Sequence, residues 1–480
     1  MTGWLIFFFT LFLASLGFAS YKSYSKNRSS DDFMLGGSNI GSILGFLTFS
    51  AALFSAFTFM GMPDFFRTHG VGAWLFLAVS DALMVFMLIW FGYALRKKAS
   101  QVGYKGVAGF VQSCFQNKWA GYLVFISSFL FLIPYVAIQI RGISIFLNAA
   151  FPDLIPDWGW SAVLVVLMLV YSEIGGLKAI MYSDAIQGVI MLAVIWIIGL
   201  TCLSMAGGLE AGLAKVEESN AALLSLPGPK GLFSSPFLIA SAIAIVLIPV
   251  SQPQFTTRLV VLKSLKSVHK MAYAVGIFAI LVILPTAFIG LYGAVKYPDV
   301  STAEFLSAAL LFDQASPVAA LAVVGLFAAC LSTTNAQIFA LGTELRSLLS
   351  GPDKRNMRIT QLAILVFSVV VLVFSTYMSD ELVLLARVSF AGTSMIAPVV
   401  MGAVVFRNPP KSLLILSGFC LTYFVLSLLE VVPAGFAGLP TDAAMYCILI
   451  PVSAIIMIVH HFTQKNTHEI KHDPKGQKEG

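Results

Sequence analysis

"SAALFSAFTFMGMP", residues 50–63, begins as an apolar helix and cannot finish as one. Ser50, Ala51, Ala52, Ser55 and Ala56 are small enough for another backbone to come close, while Gly61 and Pro63 weaken the helix that carries them. "IPVSQPQFTTR", residues 248–258, has the same character, because Pro249 and Pro253 cannot both sit in an unbroken hydrogen-bond ladder. Interrupted backbone at membrane depth is tolerated only where it is buried in protein or lines a cavity. Two interrupted helices in corresponding positions of two halves point to a binding site between them. These stretches lead to an all-α, polytopic membrane protein.

Composition agrees. Of the 480 residues 58% are hydrophobic and only 11% charged, with a mean hydropathy of +0.90. A soluble domain carries roughly 25% charged residues, so too few are present to coat a globule. Cys114, Cys202, Cys330, Cys420 and Cys447 show no CxxC or CxxxC spacing and read as packing thiols, not a metal or disulfide framework. The net charge of +6 is spread over the loops, not clustered as nucleic-acid readers cluster it, so no nucleic-acid partner is expected. No basic segment precedes the first apolar run, Trp4 to Ala19, which is therefore read as a retained helix and not a removed signal.

Thirteen stretches reach the length of about 20 apolar residues that a span needs: roughly 4–21, 39–62, 71–95, 119–149, 158–176, 179–206, 233–257, 270–295, 317–349, 358–378, 381–406, 411–430 and 441–462. Spans two and seven, which hold the two interruptions, are five apart, as two five-helix repeats require. The expected organisation is a first helix and cytoplasmic loop (1–38), one repeat (39–206), an extracellular linker (207–232), a second repeat (233–406), two further helices (407–462) and a disordered cytoplasmic tail (463–480). Of the 29 Lys and Arg residues, 23 fall in one set of alternate loops and 4 in the other, with Arg141 and Arg387 inside spans. Positive charge favours the cytoplasmic side, which puts the N-terminus outside. His460, His461, His468 and His472 near the C-terminus read as solvated side chains, not as a metal site.

Polar residues inside a span are costly and are functional candidates by default. "ACLSTTNAQIF", residues 329–339, puts Ser332, Thr333, Thr334 and Asn335 in a row. A lone Ser usually bonds back to a carbonyl or joins neighbouring helices, an account that is weaker for four in succession. Ala329, Ser332 and Thr333 stand at i, i+3 and i+4, hence on one face. Two hydroxyls and a freed carbonyl are hard neutral donors that fit sodium; magnesium and calcium usually want carboxylates, and transition metals want His or Cys.

"FSAFTFMGMP" (54–63), "GGLKAIMYSDAIQ" (175–187), "SQPQFTTR" (251–258) and "AACLSTTNAQIFALGTE" (328–344) together resemble the sodium:solute symporter family, over about residues 30 to 406. That family includes carriers for proline, pantothenate, monocarboxylates, sugars and sialic acids. The resemblance implies an inverted five-plus-five repeat of the leucine-transporter type, made of spans two to six and seven to eleven. It also implies a sodium site built from the Ala51, Phe54 and Ala329 carbonyls and the Ser332 and Thr333 hydroxyls. Relatives with a second sodium place two further hydroxyls one turn along, facing an Asp equivalent to Asp184. Here those positions hold Asn335 and Ala336, so one sodium is expected, with Asp184 orienting the gate or the ion path. A plain helix-end charge is the other reading of Asp184.

The solute is expected at mid-membrane near Ser55, Phe57, Thr58, Asp81, Gln139, Gln252 and Gln254. Sugar carriers resemble one another in a Gln of span eleven where this chain has about Val388, which disfavours a sugar. Asp81 could hold an ammonium or pair with Arg141; Arg141 could anchor a carboxylate or reach to the interface. The resulting expectation is sodium-coupled symport of a small amino acid or monocarboxylate by alternating access, in the plasma membrane (the bacterial inner membrane). The protein would act as a monomer or weak oligomer, with no cofactor beyond the coupling ion. A proton-coupled carrier using Asp81 or Asp184 as relay remains open, as does a transporter-like sensor acting with a separate signalling partner. An enzyme is not expected, because the spans hold no nucleophile–base pairing and no His-rich or acidic metal cluster.

Overall fold

Long apolar runs punctuated by Gly, Pro and charged loops become helices throughout the computed structural model, which describes residues 1–23, 35, 39–151, 154–174, 176–436 and 438–471. In chain order the helices used below are α1 (Thr2–Ser23), α2 (Ser42–Leu53), α3 (Met62–His69), α4 (Ser80–Val102), α5 (Val107–Phe115), α6 (Lys118–Ala150), α7 (Asp157–Ile174), α8 (Gly176–Met205), α9 (Ser235–Val246), α10 (Ile248–Ser251), α11 (Pro253–Val261), α12 (Leu265–Lys296), α13 (Ser316–Leu348), α14 (Asp353–Tyr377), α15 (Leu382–Ser394), α16 (Ala397–Val405), α17 (Ser412–Leu428) and α18 (Thr441–Lys471). Among the described residues β pairing is confined to isolated bridges, Ile40 with Leu262 and Phe436 with Leu439.

Helical segments occupy each of the thirteen expected stretches, but not each is a full span. Among the described residues eight helices are long and apolar enough to cross a membrane, or ten if the two bent pairs count as one span each. Those pairs turn by 59° between α2 and the helix Phe57–His69, and by 40° between α15 and α16. The stretch expected at 233–257 is in three pieces, α9, α10 and α11. The division between the fifth and sixth stretches falls where expected: α7 ends at Ile174 and α8 starts at Gly176, whose φ of +65° is a conformation that favours glycine. The C-terminal tail departs from expectation. Helix α18 continues to Lys471, because "TQKNTHEIK" contains no breaker and the first proline beyond it is Pro474. Residues 472–480, with His472, and most of the loop expected at 24–38 lie outside the described residues.

Helices α6 and α13 are the most enclosed of the long ones, and they pack on each other. Helix α13 also packs against α8, α1 and α14, while α12 packs against α3, α4 and α8. One contact is closer than a side chain permits: a Cβ on Gly290 of α12 would lie 2.6 Å from the Pro63 carbonyl oxygen. Large apolar side chains such as Phe86, Tyr273, Ile277 and Ile415 point outward, where hydrocarbon solvates them. The structure is that of an integral membrane protein.

Candidate functional site

The two interruptions form as the residue types require. Helix α2 ends at Leu53, and Phe54 takes an extended conformation (φ −93°, ψ 115°). The chain resumes as a π-helical turn over Phe57–Gly61 that runs on into α3, the wider turn falling just before Pro63, which cannot donate to the ladder. Groups freed by the break are met by α6. The Gln139 side chain accepts from the Ala56 N–H at 2.9 Å and donates to the Ser55 Oγ at 3.2 Å. The Tyr135 hydroxyl donates to the Leu53 carbonyl at 3.0 Å. At the second interruption Gln252 is the extended residue (φ −105°, ψ 117°), and Pro253 starts α11. The Thr256 hydroxyl turns back to the carbonyls of Pro249 and Gln252, at 2.8 and 3.1 Å. Both breaks are thus satisfied by the surrounding protein, as buried backbone must be.

At the end of α2 the oxygens expected to hold sodium converge. Ser332 Oγ lies 3.0 Å from the Ala51 carbonyl oxygen and 3.0 Å from that of Ala329. Thr333 Oγ1 lies 3.4 Å from the same Ala51 oxygen. These contacts bring the oxygens close enough together for a small cation to take the place of the hydrogen bonds. All four residues are at most 1% exposed, and among the described residues no carboxylate is hydrogen-bonded to the set. Such neutral oxygens favour a monovalent ion. Phe54 is at the same helix end, but among the described residues its carbonyl makes no hydrogen bond with either hydroxyl.

One turn before Ala51, Thr48 leads to Asp184. The Asp184 Oδ2 receives hydrogen bonds from the Thr48 hydroxyl and from the Arg258 guanidinium, both at 2.7 Å. Arg258 also donates to Thr48 Oγ1 at 3.0 Å and to the Gln254 carbonyl at 2.8 Å. Asp184 is therefore more than a helix-end charge. Arg258, counted from sequence as a loop residue, is 1% exposed and joins α8, α2 and α11. Positive-inside counting assigns any Arg after an apolar run to a loop, which hid Thr48 and Arg258 from sequence reasoning. The one available signal was the Gln254–Arg258 spacing of four, which sets the guanidinium back along the broken segment.

The solute candidates fall into two linked groups. Ser55, Thr58 and Gln139 lie at the first break, with the Phe57 ring 6.1 Å from Tyr135 and 6.0 Å from Phe390. Gln252 and Gln254 lie at the second, joined to each other at 2.7 Å, with Gln252 donating to Thr393 at 3.4 Å. Phe390 and Thr393 share helix α15, which connects the two groups. Asp81, on α4, is 1% exposed and sits within electrostatic range of Tyr135. It does not pair with Arg141. That guanidinium is held by Asp157 and by Asp380, the latter at 2.8 Å, at the end of α6 remote from Lys118. There it borders a cavity of about 230 Å³ that also touches Asn148 and Glu304. Among the described residues there is no His, Cys, Asp and Glu cluster able to hold a metal.

The model of the sodium:solute symporter family matches residues 33–409. The chain is similar to the uncharacterized symporter YodF of Bacillus subtilis, at 23% identity over 92% of this chain and 91% of that one. It is similar to the sodium/pantothenate symporter of Haemophilus influenzae, at 23% identity over 70% and 69% of the two chains. The high-affinity proline transporter PutP of Bacillus subtilis is 24% identical over 82% of this chain and 85% of its own. Among solved structures, the substrate-bound outward-open state of a Na+-coupled sialic acid symporter superposes with a TM-score of 0.74, at 15% identity over 95% and 97% of the chains. A closed nucleobase-cation-symport-1 transporter gives 0.55, at 13% identity over 92% and 96%. These two likenesses concern the fold.

Proposed function

Starting from the fact that the chain belongs to the sodium:solute symporter family, we propose that it carries one sodium ion with each molecule of a small amino acid or monocarboxylate by alternating access. The coarser part needs no proposal: this is a membrane transporter and not an enzyme, and sodium is its coupling ion. In the finer reading the ion sits among the carbonyls of Ala51, Phe54 and Ala329 and the hydroxyls of Ser332 and Thr333. The solute binds between the two broken helices. The observation that carries this is the meeting of the Ala51 carbonyl with two hydroxyls from a separate helix, 281 and 282 residues along the chain.

Such a site couples the two halves of the fold. An ion coordinated by both α2 and α13 holds them together, and its departure returns each oxygen to its hydrogen bond. Asp184 is already neutralised by Arg258, and Asn335 and Ala336 stand where relatives with a second sodium resemble one another in carrying hydroxyls, which supports a single ion. One ion suffices for a neutral solute. A potential of 100 mV contributes about 2.3 kcal/mol per charge and a tenfold gradient about 1.4 kcal/mol, enough together for accumulation of several hundredfold. The preponderance of Lys and Arg on one side supports an external N-terminus, and withdrawing Arg258 from that count leaves the asymmetry intact.

Uptake into proteoliposomes tests the reading. Sodium should stimulate it with a Hill slope near one, and Ser332→Ala with Thr333→Ala should raise the sodium requirement at least tenfold without loss of folded protein. A slope near two would refute the single ion, and unchanged sodium affinity would move the ion elsewhere.

A further inference from the structure

Five carboxylates are buried among the described residues, and four have partners. Asp64 pairs with Arg67, Asp184 with Arg258 and Asp442 with Arg387, while Glu344 accepts from the backbone amides of Val107 and Ala108. Asp81 is the fifth. Both of its oxygens lack a hydrogen-bond partner. Arg258 is already committed to Asp184, and Arg141, toward the end of α6, to Asp157 and Asp380. An uncompensated carboxylate in such a place is expensive, so something outside the resting side-chain network is needed to complete it.

Its surroundings say what that is. Asp81 lies within electrostatic range of Tyr135, whose hydroxyl is already spent on the Leu53 carbonyl at the first break. The Gln254 Oε1 of the second break is also an acceptor without a donor. Unfilled acceptors call for a ligand rich in N–H groups, and a nearby negative charge calls for a positive one. We infer that Asp81 is the counter-charge for a protonated amine on the transported solute. This rests on the symport reading above and decides between its two solute classes. A zwitterion can place its ammonium at Asp81 and its carboxylate toward the half-helix N-terminus that follows the break, as anionic groups do in broken-helix carriers. A monocarboxylate without nitrogen would bring a second negative charge to the first.

The test uses the full-length protein in lipid nanodiscs and thermal shift, in sodium and in potassium. The probes are the twenty amino acids and small primary amines, each matched with its deaminated acid or alcohol, for instance alanine with propionate. Amine-bearing probes alone should raise the melting temperature, and more so in sodium. Asp81→Asn should weaken the best of them by roughly a hundredfold, the loss of a buried charge-assisted pair. The shift produced by sodium without solute should survive in Asp81→Asn, which shows that the variant folds and keeps its ion site. Loss of that sodium shift in the parent protein would count against the symport reading instead. The inference is overturned if a nitrogen-free acid binds as well as its amine partner, if Asp81→Asn binds the amine unchanged, or if no amine produces a specific shift.

Discussion

Serine and threonine in α13 show how much one residue type can reveal. Ser332 and Thr333 were readable because hydroxyls at i+3 and i+4 from Ala329 share a face whatever the fold does elsewhere. Their distant partner Ala51 came only through family resemblance, since nothing in an apolar run announces which carbonyl will be turned toward them. Arg258 was unreadable, because its partner Asp184 is 74 residues earlier and local rules see only an Arg after an apolar segment. Its burial makes a firm prediction. Arg258→Met leaves the buried Asp184 carboxylate with the Thr48 hydroxyl but no counter-charge, and should cost about 3–5 kcal/mol of stability. Adding Asp184→Asn should restore much of that loss, because the cost lies in the unpaired charge; a double variant as unstable as the sum of the singles would refute this. Thermal unfolding of the three variants in one detergent is the measurement.

Helix interruptions were the most legible elements, since Pro and Gly act through the backbone itself. What completes them was not legible. Gln139, a solute candidate from sequence, also clamps the first break through both ends of its amide. The short helix α5 shows the same division. Its first three amides bond to the side chains of α13: Val107 and Ala108 to Glu344, and Gly109 to Ser347 at 2.9 Å. Glu344 belonged to a recognised motif, but its role as a cap for another helix depends on tertiary packing. Capping side chains contribute about 0.5–2 kcal/mol, and buried charged hydrogen bonds more. Glu344→Ala should therefore destabilise the protein by about 2 kcal/mol and speed hydrogen exchange first at residues 107–115. Protection lost evenly over the molecule would argue against a cap.

Over the whole molecule, the alternation of basic and non-basic loops and the sequence of apolar runs were legible because the bilayer imposes them on every segment. The number of true spans was less so: α9 and α17 are 12 and 17 residues long, below the length of about 20 that a span needs. Loops between helices also carry stability that composition does not show. Asp313, just before α13, accepts from Lys296, Tyr292 and Tyr297. Burial alone would push its carboxyl up, but the hydrogen bonds from Lys296, Tyr292 and Tyr297 outweigh that and hold it below the ordinary value. With a lowered folded value its contribution is complete above about pH 4 and is lost as the pH falls further, through the folded value. Melting temperatures measured from pH 6 down to pH 3 should fall less steeply for Asp313→Asn than for the parent, from a lower starting point. Parallel curves would show that this cluster does not respond to acid.

Helix α13 is a single uninterrupted rod of 33 residues that carries Ser332 and Thr333 at its middle and Glu344 toward one end. Twelve residues of α-helix separate Ser332 from Glu344, a lever arm of about 18 Å. A swing of about 10° pivoting at the hydroxyls would sweep the far carboxylate through about 3 Å, the full length of the bonds it makes to α5. Whatever tips the rod when an ion arrives or leaves must therefore either drag α5 along as cargo or snap it free.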